Sequence, residues 1–329
     1  MKKNKPYLLV GQGIAGTVLA HHFLQANIPF EIWDSPDHFN SSYAAGGIFN
    51  PVTGRKLEKT WLADELFDYL FPFYKQVEKT LQATFFYPMP LFRPFANEEM
   101  KQWLLDRKTQ IDHGFLDWAT AGVWVKQAGW VDVASLLLHS KNFFDNLGLF
   151  AVRTYEEKDA SDFEAVIFCE GFHAMQNPLW NKLPFLPAKG ELLRFQSDEP
   201  SRDFILNKNG FILPLPDGAF KVGATYRWDE FSQSPTISSR EELMSKLASM
   251  GVLQYELVEA FVGIRPATQD RRPFVGMLVD GKKGIFNGFG SKGVSLSPYF
   301  AHAFVQELMG QKELMEDVSI RRYSHLFSV

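Results

Sequence analysis

The feature that most constrains the fold of this chain is a glycine-rich turn at residues 11–16. Gly11, Gly13 and Gly16 have the G-x-G-x-x-G spacing, and a short apolar run precedes them. In such a turn the first glycine bends the chain, the second lets backbone amides approach a pyrophosphate, and the third allows close helix packing. Ile14 and Ala15 would begin a helix whose N-terminus faces the phosphates. The spacing therefore predicts a βαβ unit that binds a dinucleotide.

An acidic residue at the end of the next apolar segment strengthens this prediction. That segment covers residues 30–34 and ends at Asp34, about 20 residues after the turn, where an acid accepts hydrogen bonds from a ribose hydroxyl. NAD and FAD can both be held in this way. The turn and the acid together leave the choice between the two dinucleotides open.

Composition and charge exclude several classes of protein. The 329 residues carry a formal net charge of −4, which creates no overall field that would gather nucleic acid or an acidic membrane. A single cysteine, Cys169, excludes an intramolecular disulfide. The first apolar run is too short for a secretory signal, and no run has the length of a membrane helix, so we expect a cytoplasmic protein. The eight histidines show no metal-ligand spacing, and we predict no metal site.

The next part of the chain alternates between helical and broken patterns. Apolar residues recur at helical spacing between residues 60 and 85, and Pro72 should kink or split that helix. Three prolines between residues 88 and 94 should break regular structure where the chain crosses between domains. Asp132 should cap a helix that ends at Gly148, with two strands after it. These last elements predict a return to the first domain.

A different pattern begins near residue 189. Short β-rich runs at 191–195, 211–215 and 220–225 are separated by Asn-Gly and Asp-Gly pairs, which are hairpin signals. Strands at 258–264 and 274–278 follow, and a helix should cover about 294–309. The middle of the chain therefore predicts an antiparallel sheet rather than further βαβ units.

Several blocks, in this order along the chain, resemble the D-amino acid oxidase-like family of FAD-dependent flavoproteins. After the glycine turn they are a serine- and glycine-rich turn at 41–47, a strand that ends in Gly171, a strand at 220–225, a G-x-R-P block at 262–266, and a loop at 288–294. The resemblance implies that FAD is the cofactor. It places these further residues beside the cofactor: Ser41, Ser42, Ala45, Gly46, Gly47, Gly171, Gly288, Gly290, Ser291, Lys292, Gly293 and Val294.

Within this family the chain is most similar to glycine oxidase and to the flavin domain of the bacterial bifunctional enzyme that modifies the tRNA wobble uridine. The Gly-Ser-Lys-Gly form of the last loop favours the second. Glycine oxidase-like enzymes carry an arginine where this chain has Ser291, and a tyrosine near Phe211. These differences weaken the expectation that free glycine is the substrate.

The family pattern also implies catalytic residues. Arg265 of the G-x-R-P block would bind a substrate carboxylate, because a planar guanidinium forms a bidentate pair with it; an interdomain ion pair is the alternative. Lys292 would add positive charge at the N-terminus of the last helix, unless it is a solvated loop residue. Tyr226 would line the substrate face or be an ordinary half-buried tyrosine. Cys169 lies in an apolar strand, so we expect a buried thiol and noncovalent FAD.

The fold expected from these patterns is an α/β protein, in which an antiparallel-sheet substrate domain is inserted into a Rossmann-like FAD/NAD(P)-binding domain. The cofactor domain would comprise residues 1–85, 130–187 and 260–329, and the substrate domain residues 86–129 and 188–259. The expected reaction is oxidation of a C–N bond of an amino acid or secondary amine, with oxygen as acceptor. The alternatives are a stand-alone tRNA-modifying flavin oxidoreductase acting on a carboxymethylaminomethyl uridine, a flavin-binding protein without turnover, and an NAD-dependent dehydrogenase.

Overall fold

The computed structural model describes residues 5–111 and 114–327. The strands in these ranges are β1 (Tyr7–Val10), β2 (Phe30–Asp34), β3 (Ile48–Phe49), β4 (Val52–Thr53), β5 (Glu58–Lys59), β6 (Phe86–Pro88), β7 (Leu91–Pro94), β8 (Leu116–Ala119), β9 (Gly122–Val125), β10 (Gly129–Val131), β11 (Phe150–Val152), β12 (Val166–Phe168), β13 (Ala188–Gln196), β14 (Ile205–Asn207), β15 (Phe211–Pro214), β16 (Phe220–Gly223), β17 (Glu256–Arg265), β18 (Phe274–Met277) and β19 (Lys283–Asn287). The helices are α1 (Ile14–Gln25), α2 (Ala63–Leu81), α3 (Glu98–Asp106), α4 (Lys108–Ile111), α5 (Val133–Asn146), α6 (Ile237–Ser249) and α7 (Gly293–Leu308).

The glycine turn joins β1 to α1 at the centre of a mainly parallel sheet. The described strands of this sheet lie in the order β11-β2-β1-β12-β19-β18, and β18 runs antiparallel to β19 while the other neighbours are parallel. β1 is buried because it lies between β2 and β12 and reads as a continuous apolar run. The carboxyl ends of these three strands lie side by side, which is where open α/β sheets bind ligands. The βαβ prediction is confirmed.

The second large sheet is mainly antiparallel, as the hairpin signals predict. Its described strands lie in the order β17-β13-β16-β15-β14-β7-β9-β8, and the pair of β14 and β7 is parallel. The α/β fold class with a second, antiparallel-rich sheet is therefore confirmed. The division into domains stays a prediction: its boundary at residue 260 falls inside β17, and residues 1–4, 112–113 and 328–329 lie outside the described residues.

Helix α2 contains Pro72 and is not split. The expectation of a split is wrong because buried side chains on both sides of the proline, including Leu70 and Phe73, pack into the same core. A proline removes one helical hydrogen bond, and packing of an amphipathic face can outweigh that loss.

The proline segment also differs from the expectation. Two short strands, β6 and β7, form where irregular structure was predicted, because Pro88 and Pro94 lie at strand ends and Pro90 lies between the strands. β6 pairs with β10 in a small sheet with β3, whereas β7 belongs to the large antiparallel sheet. The chain therefore passes from one sheet to the other at Met89 and Pro90.

The core of the parallel sheet lies between its strands and the packed helices α1, α2, α5 and α7. Aromatic side chains fill much of this core; among the fully buried ones are Phe23, Phe67, Tyr74, Phe144 and Phe286. Packed aromatic rings thus account for much of this core. In the part of the chain that is described, every helix is too short or too polar to cross a membrane.

Candidate functional site

The carboxyl ends of β1, β2 and β12 open into a cavity of about 350 Å³ that extends to the end of β17. Most residues predicted from the sequence line it: Gly11, Gly13, Ile14, Ala15, Asp34, Ser41, Ser42, Ala45, Gly46, Gly47, Gly171, Tyr226, Arg265, Gly290, Ser291, Lys292, Gly293 and Val294. Gly16 and Gly288 do not line it. A β-carbon on Gly16 would lie 1.9 Å from the Gly11 oxygen, and one on Gly288 would lie 2.8 Å from Thr268 Cγ2, so both permit close packing behind the wall.

The glycine turn leaves its backbone exposed to the cavity. Gly11 has φ +100°, and a β-carbon there would lie 2.8 Å from the Cys169 oxygen. Gly13 is the N-cap residue of α1 and lines the cavity, so the N-terminal amides of that helix lie at the cavity wall. Helix N-termini attract anions through these amides and the helix dipole. The turn therefore has the form of an anion cradle.

Asp34 is tied to the glycine turn. Its Oδ1 accepts a hydrogen bond from the Gln12 backbone nitrogen at 2.9 Å, and its side chain lines the cavity. This bond sets the carboxylate beside the turn, at the place where the sequence predicts a contact with ribose. The ribose contact stays a prediction.

The serine- and glycine-rich turn packs against the start of α1. Ser42 Oγ accepts a hydrogen bond from the Ile14 nitrogen at 3.1 Å, and Asn40 caps the short 3-10 turn that contains Ser42. Gly47 has φ +68°, and a β-carbon there would lie 1.9 Å from the Val131 oxygen. These contacts hold the turn as one wall of the cavity.

The same turn contacts the strand that ends in the predicted substrate arginine. Ser41 Oγ accepts a hydrogen bond from the Ile264 nitrogen at 2.8 Å, and Gly263 packs against the Ser41 backbone. The cofactor-side turn and the last residues of β17 are thus joined directly. Arg265 follows immediately after this contact.

Arg265 lies in the wall of the cavity with its guanidinium largely buried. Nη1 donates to the carbonyl oxygens of Lys189 at 3.4 Å and Thr225 at 3.3 Å, and both distances are long for such bonds. Burial lowers the pKa of Arg265, and the Tyr226 ring lies 4.0 Å from the guanidinium carbon. Within residues 5–111 and 114–327 no carboxylate oxygen lies within 4.0 Å of it. The predicted alternative, an interdomain ion pair, is therefore not found among the described residues.

Tyr226 and Lys292 both line the cavity but differ in their contacts. Tyr226 is 44% exposed and stacks on Trp228, so it lies at the mouth rather than in the core. Lys292 is the N-cap residue of α7, and its Nζ lies 3.4 Å from Thr60 Oγ1. Burial lowers the pKa of Lys292, and the nearby Arg271 and Arg272 lower it further. Lys292 is thus partly withdrawn from solvent rather than fully solvated, and its role stays a prediction.

Sequence reasoning missed three titratable groups in the wall. Burial raises the pKa of Glu170 to about 7, although its hydrogen bond from Asn177 acts in the opposite direction. The rings of His38 and His173 stack at 4.1 Å, and His173 Nε2 lies 3.2 Å from the Phe39 oxygen. Glu170 directly precedes Gly171 at the end of β12, and this position was the signal that could have revealed it. The histidines give no comparable signal.

The lining residues fit a dinucleotide. The cradle at Gly11 and Gly13 has no side chains, the N-termini of α1 and α7 both reach the cavity, and Asp34 lies beside the first of them. A pyrophosphate needs such amides, and an anionic ring edge is favoured near a helix N-terminus. Phe211 and Ser291, where the chain departs from the glycine oxidase pattern, also line the cavity.

Two of the curated proteins that are similar to this chain match it over different shares of its length. Glycine oxidase of Bacillus subtilis (strain 168) is 31% identical over 40% of the chain and 37% of its own length. The tRNA 5-methylaminomethyl-2-thiouridine biosynthesis bifunctional protein of Marinobacter nauticus is 23% identical over 96% of the chain and 57% of its own length. The chain thus spans between about a third and just over half of these relatives.

Solved structures share the fold over nearly all of the chain. Glycine oxidase from Geobacillus kaustophilus superposes with a TM-score of 0.77 at 19% identity, covering 94% of this chain and 96% of that chain. Iminodiacetate oxidase from Chelativorans sp. BNC1 superposes with a TM-score of 0.75 at 20% identity, covering 97% and 98%. At these identities the likeness shows the fold.

The family assignment rests on a match that covers most of the chain. The sequence model of the FAD dependent oxidoreductase (DAO) family matches residues 7–307, which include the glycine turn, the G-x-R-P block and the loop before α7. This match favours FAD over NAD, and the alternative of an NAD-dependent dehydrogenase is set aside. The resemblance predicted from the separated blocks is confirmed: the chain belongs to the FAD-dependent oxidoreductase family typified by D-amino acid oxidase.

Proposed function

We propose that this protein is an FAD-dependent enzyme that oxidises a C–N bond of an amino acid or a secondary amine. The observation that carries the proposal is the environment of the Arg265 guanidinium. Its guanidinium is buried in the cavity wall, makes only long hydrogen bonds to carbonyls, and has no carboxylate partner among the described residues. A buried cation without an anionic partner is costly, and a substrate carboxylate would supply that partner.

The chemistry follows from where the carboxylate would be held. FAD, when bound, supplies the acceptor for the hydride that leaves the carbon next to nitrogen, while that nitrogen loses a proton. The imine so formed takes up water and separates into a carbonyl compound and an amine. Oxygen would be the final acceptor of the two electrons and, with two protons, would give hydrogen peroxide. Arg265 contributes by fixing the carboxylate, which orients the adjacent carbon in the cavity.

Other residues of this chain would hold the cofactor without a covalent bond. Gly11 and Gly13 would receive the pyrophosphate, and Asp34 the ribose. Cys169 lies behind Gly11 and is buried, and burial raises the pKa of its thiol, so the nucleophilic thiolate is disfavoured. Lys292 and the N-terminus of α7 also line the cavity, and their positive charge would stabilise an anion there.

The relatives support an amine or amino acid substrate, since two of them are a glycine oxidase and an iminodiacetate oxidase. A second candidate is favoured by the similarity of 96% of this chain to part of the tRNA biosynthesis bifunctional protein. In that case Arg265 would hold the carboxylate of a carboxymethylaminomethyl uridine. The net charge of −4 counts against a polyanionic substrate.

Anaerobic addition of amines to the purified, FAD-loaded protein tests the proposal. A panel of amino acids, N-substituted glycines and iminodiacetate is added under argon, and the absorbance of the oxidised flavin is followed near 450 nm, roughly where flavins absorb. We expect at least one carboxylate-bearing amine to bleach the flavin, and readmitted oxygen to restore the colour with formation of peroxide. If every amine, including a carboxymethylaminomethyl-modified RNA, leaves the flavin oxidised, the protein binds FAD without this turnover.

A further inference from the structure

A second cavity adjoins the first one on the side of the antiparallel sheet. It has a volume of about 640 Å³ and lies between the hairpin of β4 and β5, strand β7, helix α3 and the hairpin of β14 and β15. Four residues line both cavities: Asn207, Phe211, Ala224 and Tyr226. The two cavities therefore share a wall, and Tyr226 is part of it.

Positive charge dominates this second cavity. Its charged lining residues, among those described, are Arg55, Arg93, Lys208 and Lys246, and none is acidic. Lys246 is partly neutralised, because its Nζ lies 2.9 Å from Glu242 Oε1 and 2.7 Å from the Ala224 oxygen. The nearest carboxylate to the hairpin end is that of Glu58, which is exposed and lies 3.7 Å from where a β-carbon of Gly54 would be.

The other three cations have no acidic partner among the described residues. Arg93 donates from Nη2 to the Gly54 oxygen at 2.7 Å, and burial lowers its pKa. Lys208 donates to the Ser249 oxygen at 3.1 Å. Across residues 5–111 and 114–327 no carboxylate oxygen lies within 4.0 Å of Arg55, Arg93 or Lys208. Cations that line one concave site and have no acidic partner there attract anions.

The position of this cluster relates it to the substrate. Arg265 packs over the Tyr226 ring from the side of the first cavity, and the ring also lines the second. A molecule that extends past Tyr226 would place one end at Arg265 and the other end beside the three cations that have no acidic partner. Apolar side chains, including Leu57, Met100 and Leu104, line the rest of the second cavity and suit a short carbon chain.

We infer that the second cavity is a subsite for an anionic group at the far end of the amine substrate. The inference rests on the proposed function for the assignment of Arg265 to the near carboxylate. Three cations without acidic partners match a doubly charged phosphate better than a single carboxylate. The substrate class is therefore an amine that carries a carboxylate near the reacting carbon and a second anionic group several bonds away. Phosphate is the anion that this cavity should prefer.

A binding experiment tests the subsite without turnover. Inorganic phosphate and pyrophosphate are titrated into the FAD-loaded protein at constant ionic strength, and their affinity is measured by calorimetry. We expect saturable binding that weakens by about tenfold or more in Arg93→Gln and in the exposed Arg55→Gln, in line with loss of a charge-assisted hydrogen bond. Arg240→Gln, an exposed arginine of α6 outside both cavities, should bind as the wild type does. The absence of saturable binding, or equal loss in Arg240→Gln, overturns the subsite.

A comparison of substrates tests the role of the subsite and the source of its anion. Rates of anaerobic flavin bleaching are compared for serine, O-phosphoserine and glutamate, and for a single-stranded RNA oligonucleotide with and without a carboxymethylaminomethyl uridine. The inference is supported if a small amine with a second anion bleaches the flavin faster than serine does, and if this advantage disappears in Arg55→Gln. Whichever of O-phosphoserine and glutamate reacts faster then identifies the anion. Equal rates for charged and neutral amines, or bleaching by the modified RNA alone, contradict it. Failure of every compound to bleach the flavin rejects the proposed oxidation instead, while phosphate binding still decides the anion site.

Discussion

The Arg265 guanidinium occupies the space directly above the α-carbon of Gly190. A β-carbon at residue 190 would lie 2.1 Å from Nη2 and 2.4 Å from Nη1 of Arg265. Gly190 lies in β13, which pairs with β17 along its whole length, so the backbone there cannot move away independently. The absence of a side chain at one strand therefore determines where the arginine of the next strand can point.

Gly190→Ala should weaken substrate binding without removing the cofactor. The added methyl group displaces the guanidinium from the cavity wall, and we expect the KM for a carboxylate-bearing amine to rise by about tenfold or more. Steady-state kinetics and the ratio of flavin to protein absorbance measure the two effects. In an Arg265→Ala background the same substitution should change KM little further, because the group it displaces is gone. Additive effects in the double variant would contradict the steric explanation.

Arg265→Lys should show that geometry as well as charge matters at this position. Lysine keeps the positive charge but cannot form two parallel hydrogen bonds to a carboxylate, so we expect kcat/KM to fall by roughly 10- to 100-fold. Arg265→Ala should lose roughly another tenfold, because the charge is also lost. FAD content should match the wild type in both variants. An unchanged KM in the alanine variant would remove Arg265 from the substrate site.

Gly47→Ala should destabilise the protein more than a matched glycine substitution. Gly47 and Gly148 have φ values of +68° and +69°, so alanine at either position costs roughly 1–2 kcal/mol of backbone strain. At Gly47 the new methyl group would also lie 1.9 Å from the Val131 oxygen, whereas nothing lies within 4 Å at Gly148. We expect Gly47→Ala to lose a further 1–3 kcal/mol or so of unfolding free energy. Denaturant unfolding of both variants measures the difference, and equal losses would show that Val131 moves aside.

Glu170 should make stability depend on pH between about 4.5 and 7. Its folded pKa of about 7 lies above the ordinary value, so the folded protein keeps a proton that the unfolded chain releases. Stability therefore falls as pH rises through this window and is constant above it. Residue 170 cannot ionise in Glu170→Gln, so this variant should be more stable than the wild type by an amount that grows up to pH 7. The difference in unfolding free energy should reach about 3 kcal/mol and appear as a higher melting temperature. Glu99→Gln on the exposed face of α3 is the control, and a pH-independent difference for Glu170→Gln would contradict the raised pKa.

Asp34→Ala should weaken FAD binding specifically. The substitution removes the acceptor for the Gln12 nitrogen and the carboxylate expected at the ribose, and together these should raise the Kd for FAD by about 10- to 100-fold. Recovery of flavin fluorescence on dilution measures the Kd. Asp37→Ala, an exposed acid three residues later, should leave it unchanged. Equal affinities in the wild type and Asp34→Ala would separate this carboxylate from the cofactor.

The sequence predicted those elements of the fold that depend on residues close together in the chain. The turn at Gly11, the end of β2 at Asp34 and the cap at Asp132 each depend on residues close in sequence, and the structure confirms all three elements. The predicted split at Pro72 does not occur, because tertiary packing of α2 outweighs a local preference. Contacts between distant segments were not predictable in this way.

The candidate site shows the same limit. The lining glycines and Arg265 were expected from the family pattern, which records positions that meet in space. Glu170 became notable only through its burial, which a sequence does not display. The second cavity is formed by Arg55, Arg93, Lys208 and Lys246, which lie on four separated segments and carry no shared motif. Only the folded arrangement of both hairpins, β7 and α6 brings these charges together.

The hydrogen bond from the Ile264 nitrogen to Ser41 Oγ joins the cofactor wall to the strand end that carries Arg265. Two ligands that bind to linked segments influence each other's affinity equally in both directions. If bound FAD stabilises the 41–47 turn, this link would also strengthen the binding of a carboxylate at Arg265, and a bound carboxylate would strengthen the binding of FAD by the same factor. Under that coupling, a protein that loses its FAD would also release its amine more readily.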